Sequence, residues 1–159
     1  MIFVTLGSQK FQFNRLLVEI DRLIEDRKIT EKVFAQTGYS DYEPRNYDYK
    51  KFLDRDEFTN VINKCDKVIT HGGTGAIIGA VKKGKKVIAV PRLAKYGEHV
   101  DNHQLQIVKQ FEAMKFIRYV EDEKKLGKEI TEIENHRVLK YESNTLNIIN
   151  SIEEFINKK

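Results

Sequence analysis

The amino-acid sequence predicts an α/β fold in which a parallel β-sheet is covered by helices on both faces. Short apolar runs rich in β-branched residues alternate with stretches whose apolar residues recur at helical spacing. Turns that contain glycine follow several of the apolar runs and lead into the helical stretches. Strands that alternate with helices are typical of a parallel sheet buried on both sides.

The first elements of the chain show this alternation most clearly. Met1–Leu6 is an apolar, β-rich run that ends at Gly7-Ser8-Gln9, and it predicts the first strand. Apolar residues then recur from Phe13 to Ile24 at the spacing of an amphipathic helix. A second strand is predicted at Lys32–Gln36, where Thr37-Gly38 ends it.

The remaining elements follow from the same two patterns. Further strands are predicted at Tyr47–Phe52, Lys67–Thr70, Val87–Val90 and Phe116–Val120. Helices are predicted around Phe58–Ile62, from the turn His71–Gly75 to about Gly84, and from Val100 to Phe111. Two polar amphipathic helices complete the chain, and the last, Thr145–Asn157, lies in a terminal segment, 143–159, that we expect to pack on the sheet or to contact a partner.

Length and composition exclude several classes of protein. The 159 residues are 40% hydrophobic, which fits one globular domain spanning 1–159. Apolar runs such as Ala76–Ala80 are far shorter than the roughly 20 residues that cross a bilayer, so we expect no membrane or export segment. The single cysteine, Cys65, cannot form an internal disulfide, which excludes a disulfide-stapled fold and indicates a cytoplasmic location.

The positive charge of the chain is concentrated in one segment. The net charge is +4, yet the basic strip from Lys82 to Lys95 holds six basic residues and no acidic one. Such a strip favours an anionic partner, which could be a phosphorylated metabolite, an anionic membrane surface or a nucleic acid. The alternative is a solvated, lysine-rich helix end with no ligand.

Ligands of parallel α/β folds bind beyond the carboxyl ends of the strands. The loops that follow the predicted strands should therefore meet at one edge of the sheet. These loops are Gly7–Lys10, Thr37–Tyr42, His71–Gly75 and Pro91–His103.

The loop His71–Gly75 carries the strongest chemical signal. It joins a predicted strand to a predicted helix and reads His-Gly-Gly-Thr-Gly. Small residues let a ligand approach the backbone, and the free N–H groups at a helix N-terminus attract phosphate. His71 could donate a hydrogen bond to a phosphate or sugar oxygen. The alternative is a tight turn without a ligand.

The same glycines also fit a loose dinucleotide-binding pattern. Gly73, Gly75 and Gly79 have approximately the required spacing, and Arg92 follows the next strand, where a 2′-phosphate could bind. This makes an NADP-binding domain an alternative. Against it, the dinucleotide pattern normally follows the first strand, and here Gly7-Ser8-Gln9-Lys10 follows that strand instead.

A second polar cluster extends from Pro91-Arg92 to Gln104. Its carboxylate, imidazole, amide and guanidinium groups are those that recognise sugar hydroxyls. His99 and His103 are four residues apart and would share a helix face, but we find no convincing third metal ligand and expect no metal. The alternative is a capped helix N-terminus with a polar surface.

Three other features receive structural interpretations. Asp54-Arg55-Asp56 resembles a metal-binding Asp-x-Asp, but Glu57 follows Asp54 by three residues and indicates a helix cap. Cys65 is interpreted as a packing residue. The tyrosines between Tyr39 and Tyr49 could stack on a base or sugar, or line an interface or a half-buried strand.

Four ordered motifs together resemble the C-terminal domain of glycosyltransferase family 28. They are Phe3–Ser8, His71–Gly75, Gly84–Arg92 and Glu98–Gln104, and the resemblance extends to about Val120. Within this family the chain is most similar to the small bacterial subunits of capsule and exopolysaccharide synthesis called PssE or EpsF type. These are similar in turn to the catalytic half of the split eukaryotic transferase that adds the second N-acetylglucosamine to dolichol-linked sugar.

The resemblance implies a Rossmann-like domain that forms the C-terminal, donor-binding half of a GT-B fold. Such a domain binds a UDP-sugar, needs no further cofactor, and faces an N-terminal half that presents the acceptor. In the bacterial pairs that half is a membrane-anchored subunit, and the product is a disaccharide linked to a lipid diphosphate. We therefore expect recruitment to the inner face of the membrane through the partner, and no nucleic acid ligand.

The resemblance also implies a set of donor-binding residues. Gly73, Thr74 and Gly75 would meet the diphosphate, and Gln104, with His103, would contact hydroxyls of the donor sugar. Many members place a ribose-binding carboxylate six residues after the second glycine of the turn, where this chain has Gly79, so Glu98 is the substitute we expect. The full expected set is Gly7, Ser8, His71, Gly72, Gly73, Thr74, Gly75, Arg92, Glu98, His99, Asn102, His103 and Gln104.

The expected reaction is inverting transfer of a hexose, galactose or glucuronic acid, from UDP to a lipid-linked acceptor. The helix N-terminus at Thr74, helped by His71 or Arg92, would stabilise the charge that develops on UDP without a divalent ion. A general base must take the acceptor proton, and no residue of this chain is assigned to that role. The alternative is a non-catalytic nucleotide-sugar-binding subunit that activates a partner transferase.

Overall fold

The computed structural model describes residues 1–137, 139 and 145–158. The strands in this part of the chain are β1 (Ile2–Thr5), β2 (Val33–Gln36), β3 (Asp48–Lys50), β4 (Lys67–Thr70), β5 (Lys86–Ala89) and β6 (Arg118–Tyr119). The helices are α1 (Asn14–Glu25), α2 (Arg55–Lys64), α3 (Thr74–Lys82), α4 (His103–Ala113), α5 (Leu126–Glu132) and α6 (Thr145–Asn157).

The described strands form one parallel sheet in the order β3-β2-β1-β4-β5-β6. The predicted α/β class and parallel sheet are therefore confirmed. The strand order reverses between β1 and β4, which pair along their whole length with Thr5 opposite Thr70. A reversal of this kind opens a crevice at the carboxyl ends of the two strands, so the fold itself marks that edge as a binding site.

Helices cover both faces of the sheet, as the sequence predicts. On one face Ile2 and Val4 of β1 pack with buried residues of α1 and α5. On the other face Phe3 packs with buried residues of α2, α3, α4 and α6. Successive side chains of a strand point to opposite faces, and this alternation joins the two hydrophobic cores through one sheet.

Helix α4 begins later than the sequence predicts. Val100 is exposed and lies outside the helix, which starts at His103. The carboxylate of Asp101 accepts a hydrogen bond from the backbone N–H of His103 at 3.0 Å, at the first residue of the helix. The expectation that His99 and His103 share a helix face is therefore wrong, because His99 precedes the helix.

The structural interpretations of Asp54 and Cys65 are confirmed. Asp54 is the N-cap of α2, where its carboxylate accepts the N–H of Glu57 at 2.8 Å. In return the Glu57 carboxylate accepts the N–H of Asp54 at 3.0 Å, which completes a capping box. Cys65 is buried, and its thiol donates to the carbonyl of Ile62 at 3.2 Å.

The basic strip does not form one surface. Lys82, Lys83, Lys85 and Lys86 lie at the amino end of β5, whereas Arg92 and Lys95 follow its carboxyl end. A strand rises about 3.3 Å per residue, so β5 separates the two groups by roughly 13 Å. The lysines at the amino end therefore do not lie beside the edge where β1 and β4 end.

The terminal helix is found where the sequence predicts it, at Thr145–Asn157. Ile152 of this helix is buried in the hydrophobic core on its face of the sheet. Positions 143, 144 and 159 of the predicted terminal segment lie outside the described residues. Among the helices that are described, none combines the length and apolar character needed to cross a membrane.

The capping box gives a stability prediction. Replacing Asp54 with Ala leaves the N–H of Glu57 without its cap, so we expect the free energy of unfolding to fall by about 1 kcal/mol. Asp56→Ala is the matched control, since Asp56 is an exposed first-turn carboxylate that does not cap the helix. Urea denaturation of both variants measures the difference, and equal losses would contradict the role assigned to Asp54.

Candidate functional site

The site lies where β1 and β4 end side by side. Thr70 donates its hydroxyl to the carbonyl of Thr5 at 3.1 Å, which joins the two strand ends. Gly7 follows β1 with a φ of +71°, a conformation that favours glycine. A Cβ at Gly7 would lie 2.5 Å from Nε2 of His71, so the imidazole packs directly on the glycine backbone.

The His71 ring lies between two glycines. A Cβ at Gly73 would collide with Cε1 of the same ring, just as one at Gly7 would collide with Nε2. Any larger residue at either position would displace the imidazole. The structure thus brings Gly7, His71 and Gly73 together, as the loop argument predicts.

Helix α3 begins at this point without a side-chain cap. Gly73 is its N-cap and makes no side-chain hydrogen bond, and the first turn holds no acidic residue. Gly75 is exposed, with nothing within 4 Å of where a Cβ would lie. The N–H groups of the first turn and the positive end of the helix dipole can therefore bind an anion here. Ser8 is exposed in the adjoining loop after β1.

The loop after β2 adds an aromatic surface to the same edge. A Cβ at Gly38 would lie 2.9 Å from the carbonyl oxygen of Gly7, so the two loops are in contact. Tyr39 is 49% exposed and packs edge-on against the exposed ring of Phe52, with centroids 5.1 Å apart. Phe52 is not among the site residues that the sequence predicts. The signal that could have identified it is its position as an aromatic residue directly after a short polar strand.

The tyrosine-rich segment has mixed roles. The hydroxyl of Tyr42 donates to Asp21 at 2.7 Å, and that of buried Tyr47 donates to the carbonyl of Leu17 at 3.0 Å. Both therefore anchor the segment to α1. Tyr39 and Tyr49 remain exposed and available to a ligand or partner.

Gln104 is buried and its amide is engaged within the protein. Its Oε1 accepts the backbone N–H groups of Gly72 and Arg92, each at 3.1 Å. Its Nε2 lies 3.1 Å from Nδ1 of His71. With 4% of its surface exposed, Gln104 supports the glycine turn from beneath, so the geometry does not favour the expected contact with sugar hydroxyls.

Arg92 lies under the site. Its guanidinium donates to the backbone carbonyls of Leu6, Phe11, Gln12 and Glu98, and it packs over the ring of Phe13. Only 1% of its surface is exposed. Burial lowers the pKa of Arg92 to about 10, so it remains a cation at pH 7. These contacts leave Arg92 as a support for the loops and not as the phosphate ligand that the sequence suggests.

Glu98 is likewise committed to the framework. Its carboxylate binds the guanidinium of Arg15 at 2.6 Å and accepts the N–H of Leu93 at 3.0 Å. Its side chain is 1% exposed, which does not fit the expected contact with a ribose. Arg15 was missed because no local pattern marks it: the residue lies on α1, 83 positions before Glu98.

The other polar residues of this loop form its rim. Asp101 holds the Nδ1 atoms of His99 and His103, each at 3.0 Å. The hydrogen bond from the N–H of His103, together with both imidazoles, lowers the pKa of Asp101. Asn102 accepts the N–H of Ala94 at 3.0 Å, and half-exposed His103 remains accessible to a ligand. Among the residues that the structure describes, no group of three or more His, Cys, Asp or Glu is arranged to hold a metal ion.

Burial controls the charge of His71. Removal from water, with smaller contributions from Arg92 and His99, lowers the pKa of His71 to about 4. The imidazole is therefore neutral at pH 7. In this state it has one N–H donor and one acceptor nitrogen, and it could not serve as an efficient base near neutral pH.

Known structures share this fold. The calicheamicin glycosyltransferase CalG4 matches 98% of this chain and 37% of its own, with a TM-score of 0.62 and 15% identity. MurG of Acinetobacter baumannii matches 95% of this chain and 49% of its own, with a TM-score of 0.60 and 15% identity. The NMR structure of ALG13 matches 98% of this chain and 96% of its own, with a TM-score of 0.62 and 17% identity. The sheet and its helices match the Rossmann-like C-terminal half of GT-B glycosyltransferases.

Sequence comparison identifies the family. The UDP-N-acetylglucosamine transferase subunit ALG13 of Kluyveromyces lactis is 35% identical over 88 residues, which are 55% of this chain. The matched region spans only 42% of that relative's length. The family model of the glycosyltransferase family 28 C-terminal domain matches residues 1–158. This match covers nearly the whole chain, and the chain therefore belongs to the family of glycosyltransferase family 28 C-terminal domains.

Proposed function

We propose that this chain is the donor-binding catalytic subunit of a two-component inverting glycosyltransferase. It moves a hexose, galactose or glucuronic acid, from a UDP-sugar to a sugar linked to a lipid diphosphate, in exopolysaccharide or capsule synthesis. The observation that carries the proposal is the uncapped N-terminus of α3, which opens at the reversal of strand order beside Gly7 and His71. An anionic diphosphate fits this position.

In the proposed reaction the acceptor hydroxyl oxygen attacks the anomeric carbon of the donor. The bond between that carbon and the diphosphate oxygen breaks, and negative charge develops on UDP. The N–H groups at Thr74 and Gly75 and the dipole of α3 stabilise this charge, and no divalent ion is required. The acceptor proton passes to a general base, which we place on the partner subunit.

The nucleoside is assigned to the aromatic surface beside the diphosphate position. Tyr39 and Phe52 present exposed rings at the same sheet edge, and the Gly38 loop joins them to Gly7. Stacking of a base on an aromatic ring contributes about 1–3 kcal/mol. A uracil placed there would lie at the same sheet edge as the N-terminus of α3.

The partner is proposed to be a membrane-anchored subunit that forms the N-terminal half of the GT-B fold and binds the lipid-linked acceptor. The support is the likeness to ALG13, which is described as a subunit and which this chain matches over 96% of the length of its NMR structure. In this arrangement the chain works in the cytoplasm, held at the inner face of the membrane by its partner.

One observation favours a second candidate, a nucleotide-sugar-binding subunit that activates a partner and performs no chemistry. The buried titratable groups at the site have other roles: Glu98 is paired with Arg15, and the pKa of His71 is far below 7. The NADP alternative has no such support, because Arg92, its proposed 2′-phosphate ligand, is buried under the loops.

Replacing Thr74 with Pro tests the diphosphate position. Proline is tolerated at the first residue of a helix, and the extended Gly73 before it fits a following proline, so the variant loses one N–H and keeps α3. Loss of a hydrogen bond to a charged group should weaken UDP binding roughly 10- to 100-fold in calorimetry. Thr74→Ala retains the N–H and should bind as the wild type does.

Two results of that titration would overturn the proposal. Unchanged UDP affinity in Thr74→Pro would show that the diphosphate does not bind at α3. Binding of NADP in preference to UDP by the wild-type chain would identify a different class of ligand.

Gly79 offers a test by gain of affinity. Many members of the family carry a ribose-binding carboxylate at this position, and nothing lies within 4 Å of a Cβ built on Gly79. We expect Gly79→Glu to bind UDP about tenfold more tightly through a new hydrogen bond to the ribose. Gly79→Ala, which should raise helix stability by about 1 kcal/mol without changing affinity, is the control. Equal UDP affinities in Gly79→Glu and Gly79→Ala would show that the ribose does not bind near α3.

Turnover measurements distinguish the catalytic subunit from the accessory subunit. Sugar transfer from UDP-galactose or UDP-glucuronic acid should require both this chain and membranes that contain the partner. Thr74→Pro should lower transfer by the reconstituted pair roughly 10- to 100-fold when the UDP-sugar is below saturation. Transfer by the partner alone, merely increased by this chain, would establish the accessory function instead.

A further inference from the structure

The amide of Gln104 has one orientation open to it. Its oxygen lies 3.1 Å from two backbone nitrogens, those of Gly72 and Arg92, and backbone N–H groups can only donate. If the amide were rotated, its NH2 group would face both donors and three polar groups would lose their hydrogen bonds. Gln104 therefore directs its nitrogen, and not its oxygen, towards His71.

This orientation determines which ring nitrogen of His71 carries the proton. The amide nitrogen of Gln104 is a donor only, and it lies 3.1 Å from Nδ1 of His71. Nδ1 must accept that hydrogen bond, so it is unprotonated. A neutral imidazole with a free Nδ1 carries its proton on Nε2.

The surroundings of His71 keep the ring in this neutral state. Burial is the main cause, and Arg92 and His99 are the charged or titratable groups that act on it. All three effects disfavour a second proton. So does Gln104, because its amide nitrogen can donate to Nδ1 but cannot accept a hydrogen bond from it. The ring thus remains neutral through the range where enzymes of the cytoplasm work.

The protonated edge of the ring faces the start of α3. Nε2 and Cε1 are the ring atoms nearest to the positions where Gly7 and Gly73 would carry a Cβ. Within the described part of the chain Nε2 makes no hydrogen bond. The donor on this edge is therefore left for a ligand beside the N-terminus of the helix.

We propose that Gln104 is a positioning residue that holds the proton of His71 on Nε2, so that His71 donates a hydrogen bond to an anionic oxygen at the N-terminus of α3. His71 then acts as a neutral donor and not as the general base. The identity of that oxygen as part of a diphosphate rests on the proposed function, whereas the protonation of the ring does not.

Nitrogen-15 NMR of the His71 ring tests the proposal directly in the ligand-free chain. We expect the wild type at pH 7 to show a protonated Nε2 and an unprotonated Nδ1. In Gln104→Glu the carboxylate still accepts from Gly72 and Arg92, and it should draw a proton onto Nδ1. Gln106→Glu, which adds the same charge two residues further along α4, should leave the wild-type pattern unchanged.

A wild-type ring with its proton on Nδ1 would overturn the proposal, whether or not the variants fold. So would a protonated Nδ1 in Gln106→Glu together with an unprotonated one in Gln104→Glu. The wild-type spectrum needs no nucleotide, so this result is independent of the proposed function.

Binding of UDP measures the consequence for the ligand. At pH 8.5 the neutral His71 ring of Gln104→Glu presents an acceptor on Nε2, so we expect this variant to bind UDP about tenfold more weakly than the wild type. At lower pH the ring becomes charged, and the variant should regain part of the lost affinity. Dividing the UDP affinity of the variant by that of the wild type at each pH removes the contribution from titration of the phosphate itself. A ratio near one at every pH would show that His71 does not contact the anion, and no binding by the wild type would contradict the proposed function while leaving the NMR result valid.

Discussion

The guanidinium of Arg92 joins two loops that lie far apart in the sequence. Its four acceptors are the carbonyl oxygens of Leu6, Phe11 and Gln12 in the loop that follows β1, and of Glu98 in the loop that follows β5. Taking a cation out of water costs several kcal/mol unless its hydrogen bonds are made inside the protein. Here Nη1 and Nη2 donate to four backbone carbonyls, which gain a partner inside the protein, whereas Nε is buried without a partner among the described residues. Together with the pairing of β1 and β4, this buried side chain holds the loop of Gly7 in place beside His71.

The polar residues after β5 extend the same framework. Glu98 forms an ion pair with Arg15 of α1, and Arg15 forms a second ion pair with Glu123 beyond β6. Arg15 therefore links the loop after β5 to the segment after β6. Gln104 connects this loop to the glycine turn through Gly72 and His71. A connected set of buried hydrogen bonds of this kind restrains the side chains that take part in it. The surface left to a ligand is consequently formed by what the network supports: the glycine turn, the start of α3 and the edge of one imidazole.

The sequence predicts the architecture well and the roles of the polar residues poorly, for one physical reason. Local periodicity predicts the strands and helices. The glycine turn at His71–Gly75 predicts an anion site because the N-terminus of a helix can bind anions. Whether Glu98 faces a ligand or an arginine depends on a residue 83 positions away, and nothing local encodes that. The same reason applies to the basic strip. Its residues are close in the sequence, but β5 separates them, so that they lie at opposite edges of the sheet.

Under the proposed function, a site made of backbone N–H groups and a neutral imidazole suits the release of a charged product. Lysine or arginine side chains in direct contact would bind the free diphosphate strongly and slow its departure, whereas dipoles add little net charge. Dipoles held in place by a rigid framework need no reorganisation when charge develops, so their effect is greatest in the transition state. The buried imidazole of His71 is neutral and already accepts a hydrogen bond on Nδ1, so it is a poor general base. Under the proposed function, the partner subunit supplies the base that removes the acceptor proton, and the two chains divide the chemistry: this one holds the donor, and the partner activates the acceptor.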